Sequence, residues 1–168
     1  LFWFTVLFVA VMAVQRSTSV ETTDGARRAL LLAGIEPAAV FLGKATAVAV
    51  QLLAVEVFLV GGVLVLYDAS IDSVPLLVST CLAATIGIAA AGTLLGALVA
   101  GVRARETVLP ILLLPVLAPV LIGATRAFDD ALGSVAVDGW SWLGLLAGFA
   151  VVNVVLGALA YGVLLEET

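Results

Sequence analysis

Long stretches without a charged residue constrain the fold of this chain more than any other feature. A helix needs about 20 apolar residues to cross a hydrocarbon core of roughly 30 Å. Four stretches have about this length or more, one of them interrupted by Glu56, and a shorter one opens the chain. They are residues 1–15, 45–67, 73–102, 107–125 and 139–165. The pattern predicts an all-α fold, a polytopic transmembrane helix bundle with five spans visible in the sequence.

Composition points to the same class of protein and excludes others. Apolar residues make up 64% of the 168 residues and charged residues 11%, against about 25% charged in soluble domains. A single soluble domain of this size cannot hide so much apolar surface from water. A net charge of −5 with only 7 Lys and Arg excludes a nucleic-acid binder. One cysteine excludes an internal disulfide.

The basic residues predict the orientation in the membrane, because cytoplasmic loops are enriched in Lys and Arg. Six of the seven fall between spans one and two or between spans three and four: Arg16, Arg27, Arg28, Lys44, Arg103 and Arg105. The loops of the other parity hold Arg126 alone. We therefore expect segments 15–44, 103–106 and 166–168 to be cytoplasmic, and 67–72 and 126–138 to lie outside.

The chain starts at Leu1 inside an apolar run, without a basic leader. A signal peptide needs a charged region before its apolar stretch. With Leu1 outside, one further span is needed for a chain that starts in the cytoplasm. We therefore expect six spans in the full-length protein, the first of which is missing here.

Segment 15–44 is the longest connection between predicted spans. Within it, 26–33 is a run of helix formers between Gly25 and Gly34, with Leu30, Leu31 and Leu32 on its apolar side. This pattern is typical of a short amphipathic helix at the membrane surface. Pro37 then begins the helix of the next span. An ordinary basic loop anchored at the lipid headgroups is the alternative.

Three prolines interrupt the fourth predicted span, at Pro110, Pro115 and Pro119. Each proline removes one backbone hydrogen bond and kinks its helix. In lipid, the freed carbonyls must be met by neighbouring helices or by water. The prolines therefore indicate a broken or re-entrant segment or a hinge for alternating access, with a statically kinked packing helix as the alternative.

Glu56 is the one charge deep inside a predicted span. An intramembrane carboxylate is costly and is a functional candidate for that reason. We expect it to line a substrate path or to hydrogen-bond within the bundle while protonated. Proton coupling is the alternative, and no second buried titratable group supports it.

Two G-x-x-x-G motifs predict close packing between helices, because glycine lets helix backbones approach each other. They run from Gly92 to Gly96 and from Gly144 to Gly148. Such motifs also arise by chance in a chain with 16 glycines. They therefore indicate packing more strongly than a dimer.

Two segments resemble the CcmB family, the membrane subunits of the ABC transporter of cytochrome c maturation, often called the haem exporter. The first carries Arg16, Glu21, Asp24-Gly25, the leucine run at 30–32 and Gly43-Lys44. The second is the proline-punctuated helix at 108–122, followed by Gly123-Ala124-Thr125. The resemblance extends over essentially the whole chain, with departures at Arg27-Arg28 and Gly34.

The resemblance implies a single transmembrane permease domain over 1–168, of the six-helix ABC exporter type, in the plasma membrane. It implies a separate CcmA-like ATPase, CcmC-like membrane proteins of cytochrome c maturation and two permease copies. The coupling loop in 15–44 that contacts the ATPase then includes the following residues: Arg16, Glu21, Asp24, Gly25, Leu30, Leu31 and Leu32.

No enzymatic activity and no bound cofactor are expected of the chain itself. A nucleotide-binding G-x-x-x-x-G-K-[ST] motif is missing from the sequence, so ATP is expected to be hydrolysed by the partner subunit. Histidine is absent, which argues against tight haem ligation by this subunit. An intramembrane enzyme needs paired catalytic groups within the spans, and none occurs.

Two other transporter classes stay open. A secondary transporter would use Glu56 and the proline-rich helix as its site, although the sequence shows no internal repeat. Another ABC-2-type exporter permease is the second possibility.

Overall fold

The structure, a computed structural model, describes residues 1–21, 36–100, 102, 104–135 and 137–167. Within these residues the chain forms five α-helices and no strand. We number them in chain order: α1 (Phe2–Glu21), α2 (Pro37–Tyr67), α3 (Val74–Leu98), α4 (Arg105–Ala131) and α5 (Gly139–Glu167). The predicted all-α polytopic bundle is confirmed.

Four of the helices, α2 to α5, are long and apolar enough to cross a membrane. The apolar part of α1, Phe2–Ser17, is shorter. This agrees with the sequence pattern, which shows four full spans after a shorter apolar run.

The connection predicted at 15–44 is shorter than expected, because both flanking helices continue into it. Helix α1 extends to Glu21, and α2 begins at Pro37, as the proline predicted, ahead of the uncharged stretch that starts at residue 45. A proline in the first helical position lacks only an N–H that would be unpaired there, and its fixed φ suits a helix start. Charged residues set where a helix leaves the lipid, but they do not end it. The uncharged stretches therefore mark the spans but not the full length of the helices.

Successive helices run in opposite directions, so the bundle has two ends. At one end, which we call the Leu1 end, the amides of Asp72 and Ser73 donate to the carbonyl of Ala131. The amide of Gly139 donates there to Asp130 Oδ2 at 3.0 Å. The opposite end, which we call the Lys44 end, holds the last turns of α1, α3 and α5 and the first turns of α2 and α4.

Helix α3 is the centre of the bundle and contacts all four other helices. Around it, α1 contacts α2 and α4, and α5 contacts α2 and α4, which closes a ring. Small residues make the central position possible. A Cβ atom on Gly87 would lie 2.9 Å from the ring of Phe149, and one on Gly92 would lie 2.7 Å from a methyl group of Val14. Because real Cβ atoms do not come this close, these helices depend on glycine.

The two G-x-x-x-G motifs have different environments. Gly92 and Gly96 are buried on α3, as predicted. Gly144 and Gly148 are exposed on α5, and a Cβ atom on either would meet nothing within 4 Å. The second packing prediction was therefore wrong within this chain, because that face of α5 points away from the ring.

Candidate functional site

A buried polar pair joins α2 to the central helix. The buried residues of α2 form one stripe along the helix: Phe41, Ala45, Val48, Leu52 and Glu56. The stripe brings the Glu56 side chain, 2% exposed, against α3. There the hydroxyl of Thr85 donates a 2.6 Å hydrogen bond to Glu56 Oε1. The Cys81 thiol lies beside the same carboxyl group.

The second carboxyl oxygen of Glu56 has no partner. In the part of the chain that the structure describes, Glu56 Oε2 accepts no hydrogen bond and Glu56 forms no ion pair. A buried ionised carboxylate without a cation costs far more free energy than a neutral acid in the same position. The geometry therefore suits a protonated carboxyl group that hydrogen-bonds within the bundle.

Two other buried polar atoms lack a partner among the described residues. They are Thr80 Oγ1 on α3 and the indole nitrogen of Trp3 on α1. The described residues contain no group of three His, Cys, Asp or Glu side chains that could hold a metal ion. The unpaired polar atoms in the described part of the core are therefore single hydrogen-bonding groups, and they do not form a metal site.

The proline-rich segment forms one continuous helix. Pro110, Pro115 and Pro119 all lie inside α4, so the segment is neither broken nor re-entrant. Leu109, Leu113, Leu117 and Val120 form its buried stripe. Pro115 and Pro119 are exposed on the other side, and Pro110 is half-buried. Whether α4 acts as a hinge stays a prediction.

The carbonyl group freed by Pro110 is met by another helix. In an α-helix the carbonyl of residue 106 accepts from the amide of residue 110, and proline has no amide hydrogen. Gln15 Nε2 on α1 donates to the Glu106 carbonyl at 2.9 Å. The expectation that neighbouring helices satisfy freed carbonyls is confirmed at this turn. Gln15 itself was missed, since its position at the end of an apolar run shows no partner.

A second polar contact lies near the Lys44 end. Lys44 Nζ donates a 2.7 Å hydrogen bond to the Tyr161 hydroxyl and lies 5.5 Å from the centre of its ring. The Phe41 ring packs against Tyr161 with 5.6 Å between ring centres, and Gly157 leaves the space that Phe41 fills. The sequence predicted Lys44 as one of the cytoplasmic basic residues, but it did not indicate Tyr161 as its partner.

The predicted coupling loop is placed only in part. Arg16 is exposed on α1, and Glu21 is the last residue of that helix. The other predicted contacts lie outside the described residues: Asp24, Gly25, Leu30, Leu31 and Leu32.

At the Leu1 end, Asp138 precedes the first residue of α5. Its carboxylate accepts hydrogen bonds from the hydroxyl and the amide of Ser141. These two hydrogen bonds hold the pKa of Asp138 below its usual range, and the one from the Ser141 hydroxyl has the larger effect. This is the geometry of a helix N-cap.

Comparison with known proteins identifies the family. The family model described as CcmB protein matches residues 1–167, essentially the whole chain. Searches of curated proteins and of solved structures found no match. The chain therefore belongs to the CcmB family, and it is a membrane component of the haem-exporter ABC system of cytochrome c maturation.

Proposed function

We propose that this chain is the permease subunit of an ATP-driven exporter and that a separate ATPase subunit supplies the energy. The family supports an ABC system, and the sequence has no nucleotide-binding motif of its own. We further propose that the chain has no catalytic residues and binds no cofactor directly.

The observation that carries this proposal is that α1 ends and α2 begins at the same end of the bundle. Glu21 is the last residue of α1 and Pro37 the first of α2, both at the Lys44 end, and 22–35 link them in the sequence. At the same end Gln15 of α1 is bonded to α4. A subunit docked on this connection would therefore act on α1 directly and on α4 through the hydrogen bond of Gln15.

The charges at the two ends support the same side for docking. Arg16 and Lys44 lie at the Lys44 end, where α4 begins with Arg105, whereas Arg126 is the one basic side chain at the Leu1 end among the described residues. Acidic residues occur at both ends. The positive-inside rule then assigns the Lys44 end to the cytoplasm, where ATP is available.

The proposed assembly contains two permease copies, the CcmA-like ATPase and CcmC-like membrane proteins in the plasma membrane. The family supports membership of this system with other cytochrome c maturation components. Two copies follow from the general architecture of ABC transporters, which need two membrane halves.

A secondary transporter is the second candidate, and Glu56 is the observation that favours it. Such transporters place ionisable groups near the middle of the membrane. Glu56 is near the middle of α2 and is the one buried charged residue among those described. Its hydrogen bond to Thr85 gives it a structural role that needs no transported proton.

The docking proposal is tested by replacing one apolar residue of the connection. Buried apolar anchors carry most of the free energy of an interface. We expect Leu31→Asp to weaken capture of the ATPase by about thirtyfold or more, which corresponds to about 2 kcal/mol. Thr22→Asp is the matched control, because it adds the same charge to the same segment without removing an apolar side chain.

The measurement is co-purification of the ATPase from membranes that contain equal amounts of each variant, together with cytochrome c maturation in the same cells. Normal capture and normal maturation with Leu31→Asp would move docking away from this connection. Segment 103–106 would then be the next surface to test. Absence of any ATPase from the native complex would instead favour the secondary transporter.

A further inference from the structure

We propose that Gln15 is a positioning residue that couples α1 to the first proline turn of α4 during transport. The inference rests on the proposed function, in which an ATPase acts on the connection that follows α1. Its structural basis is the 2.9 Å hydrogen bond from Gln15 Nε2 to the carbonyl oxygen of Glu106.

The acceptor is a group that α4 cannot satisfy in the usual way. Pro110 has no amide hydrogen for the Glu106 carbonyl, so the first turns of α4 lack one of their own bonds. Pro115 and Pro119 free the carbonyls of Ile111 and Pro115 in the same way. No side chain among the described residues donates to either of these. Gln15 therefore acts at one particular proline of the three.

The location of the bond links the two segments that matter for coupling. Gln15 lies on the last turns of α1, which ends at Glu21 and leads directly into 22–35. Glu106 is the second residue of α4. The bond thus joins the helix that leaves toward the proposed docking segment with the start of the proline-rich helix.

The contact between α1 and α4 differs in kind at its two ends. At the opposite end of the same pair, α1 and α4 meet through aromatic rings, with Phe2 stacked on Phe128 at 4.6 Å between ring centres. These contacts come mainly from the burial of apolar surface, whereas the hydrogen bond of Gln15 holds one donor against one acceptor. We infer that displacement of α1 bends α4 at the Pro110 turn, where the helix lacks its own bond.

The test combines two substitutions. Gln15→Leu removes the donor, while Pro110→Ala gives α4 a backbone amide that can donate to the Glu106 carbonyl. We expect Gln15→Leu alone to lower the amount of cytochrome c matured per ATP hydrolysed by about twofold to tenfold, the factor that corresponds to one net hydrogen bond. In a Pro110→Ala background, the same substitution should change this ratio little. ATPase binding should persist in both backgrounds.

Two controls separate coupling from general damage. Pro115→Ala in place of Pro110→Ala should leave the chain as sensitive to Gln15→Leu as before, because it restores a bond at a different carbonyl. Gln15→Lys keeps a donor at this position and should retain more of the ratio than Gln15→Leu. Thermal unfolding of the purified chain should show the same non-additivity between Gln15→Leu and Pro110→Ala.

The outcomes distinguish this inference from the proposed function. The coupling role of Gln15 is overturned if Gln15→Leu leaves the amount of cytochrome c matured per ATP unchanged, or lowers it equally with Pro110 and with Pro110→Ala. The ATPase would stay bound in both cases. A native complex without an ATPase overturns the proposed function and the coupling role with it. Non-additive thermal unfolding would then show a bond that is structural only.

Discussion

Thr85 of the central helix donates its hydroxyl hydrogen to Glu56 of α2 across 2.6 Å, near the middle of both helices. Both side chains are almost completely buried, at 0% and 2% exposed. The polar pair favours this register, because in another register the Glu56 carboxyl group would lose the Thr85 donor and stay buried without it.

Thr85→Val should destabilise the bundle through this pair. Valine keeps the shape of threonine but removes the donor, so Glu56 loses the hydrogen bond from Thr85. We expect a loss of about 0.5–1.5 kcal/mol in the free energy of unfolding. Thr93→Val is the matched control on the same helix, since the Thr93 hydroxyl bonds only to the carbonyl of Ala89 in its own helix. Unfolding in detergent micelles measures both, and equal losses would contradict the importance of the pair.

Glu56→Gln should preserve transport if the carboxyl group is neutral and structural. The amide oxygen of glutamine can still accept from Thr85, and the side chain keeps its size. Glu56→Ala should instead lower stability by about 1–3 kcal/mol, because it leaves the Thr85 hydroxyl without its acceptor. Cytochrome c maturation at equal membrane abundance is the measurement. Complete loss of maturation with Glu56→Gln at unchanged thermal stability would favour proton release by Glu56, as the secondary-transporter interpretation requires.

Glu56, Thr85 and Gln15 differ in how far the sequence alone predicts their roles. Glu56 stands out in the sequence because a charge among apolar residues is rare, and its burial follows from the cost of exposing it to lipid. Thr85 and Gln15 carry no such signal, because the sequence does not show whether an uncharged polar side chain bonds within its own helix or to another helix. Their partners lie on other helices, so only the packing of the bundle shows which of them form bonds.

The sequence also predicts helix boundaries and packing faces only in part. The apolar stretches predict which segments cross the membrane, but charged residues at their ends only approximate where a helix stops. The two G-x-x-x-G motifs look alike in the sequence, yet one is buried and the other exposed. That difference depends on which helix is central, a property of all five helices together.

Gly157→Ala should disturb the contact between α5 and α2. A Cβ atom at this position would overlap the ring of Phe41, which packs on Tyr161. Overpacking of this kind typically costs about 1–3 kcal/mol. Gly148→Ala on the same helix is the control, because its Cβ atom would meet nothing within 4 Å. Thermal unfolding of both variants is the measurement, and the interpretation is wrong if they lose the same stability.

Ser141→Ala should reduce stability in a pH-dependent way. The hydrogen bonds from Ser141 lower the pKa of Asp138 from its usual 3.8, so the folded state favours the ionised carboxylate. This stabilisation is present above the unfolded pKa and is lost as the pH falls through the lower folded value. We therefore expect a clear difference in melting temperature between wild type and Ser141→Ala at pH 7, and a smaller one near pH 3. A difference that grows on acidification would contradict the assigned cap.

The proposed orientation makes a prediction about chemical labelling. In a Cys81→Ala background, Thr22→Cys should react with membrane-impermeant thiol reagents only from the cytoplasmic side, because it lies in the connection rich in basic residues. Ser134→Cys lies at the Leu1 end, where Ser134 is exposed, and should react only from outside. Intact cells and inverted vesicles provide the two directions of access.

The labelling experiment has its control within the chain. A cysteine at Val48, which is 2% exposed in the middle of the bundle, should react from neither side and so reports leakage of the reagent. The basic residues fix the expected direction because moving them across the membrane is unfavourable. Reversed labelling of Thr22→Cys and Ser134→Cys would put the 22–35 connection outside the cell. An ATPase that depends on cytoplasmic ATP could not then dock on it, and both the coupling loop and the role of Gln15 would fall.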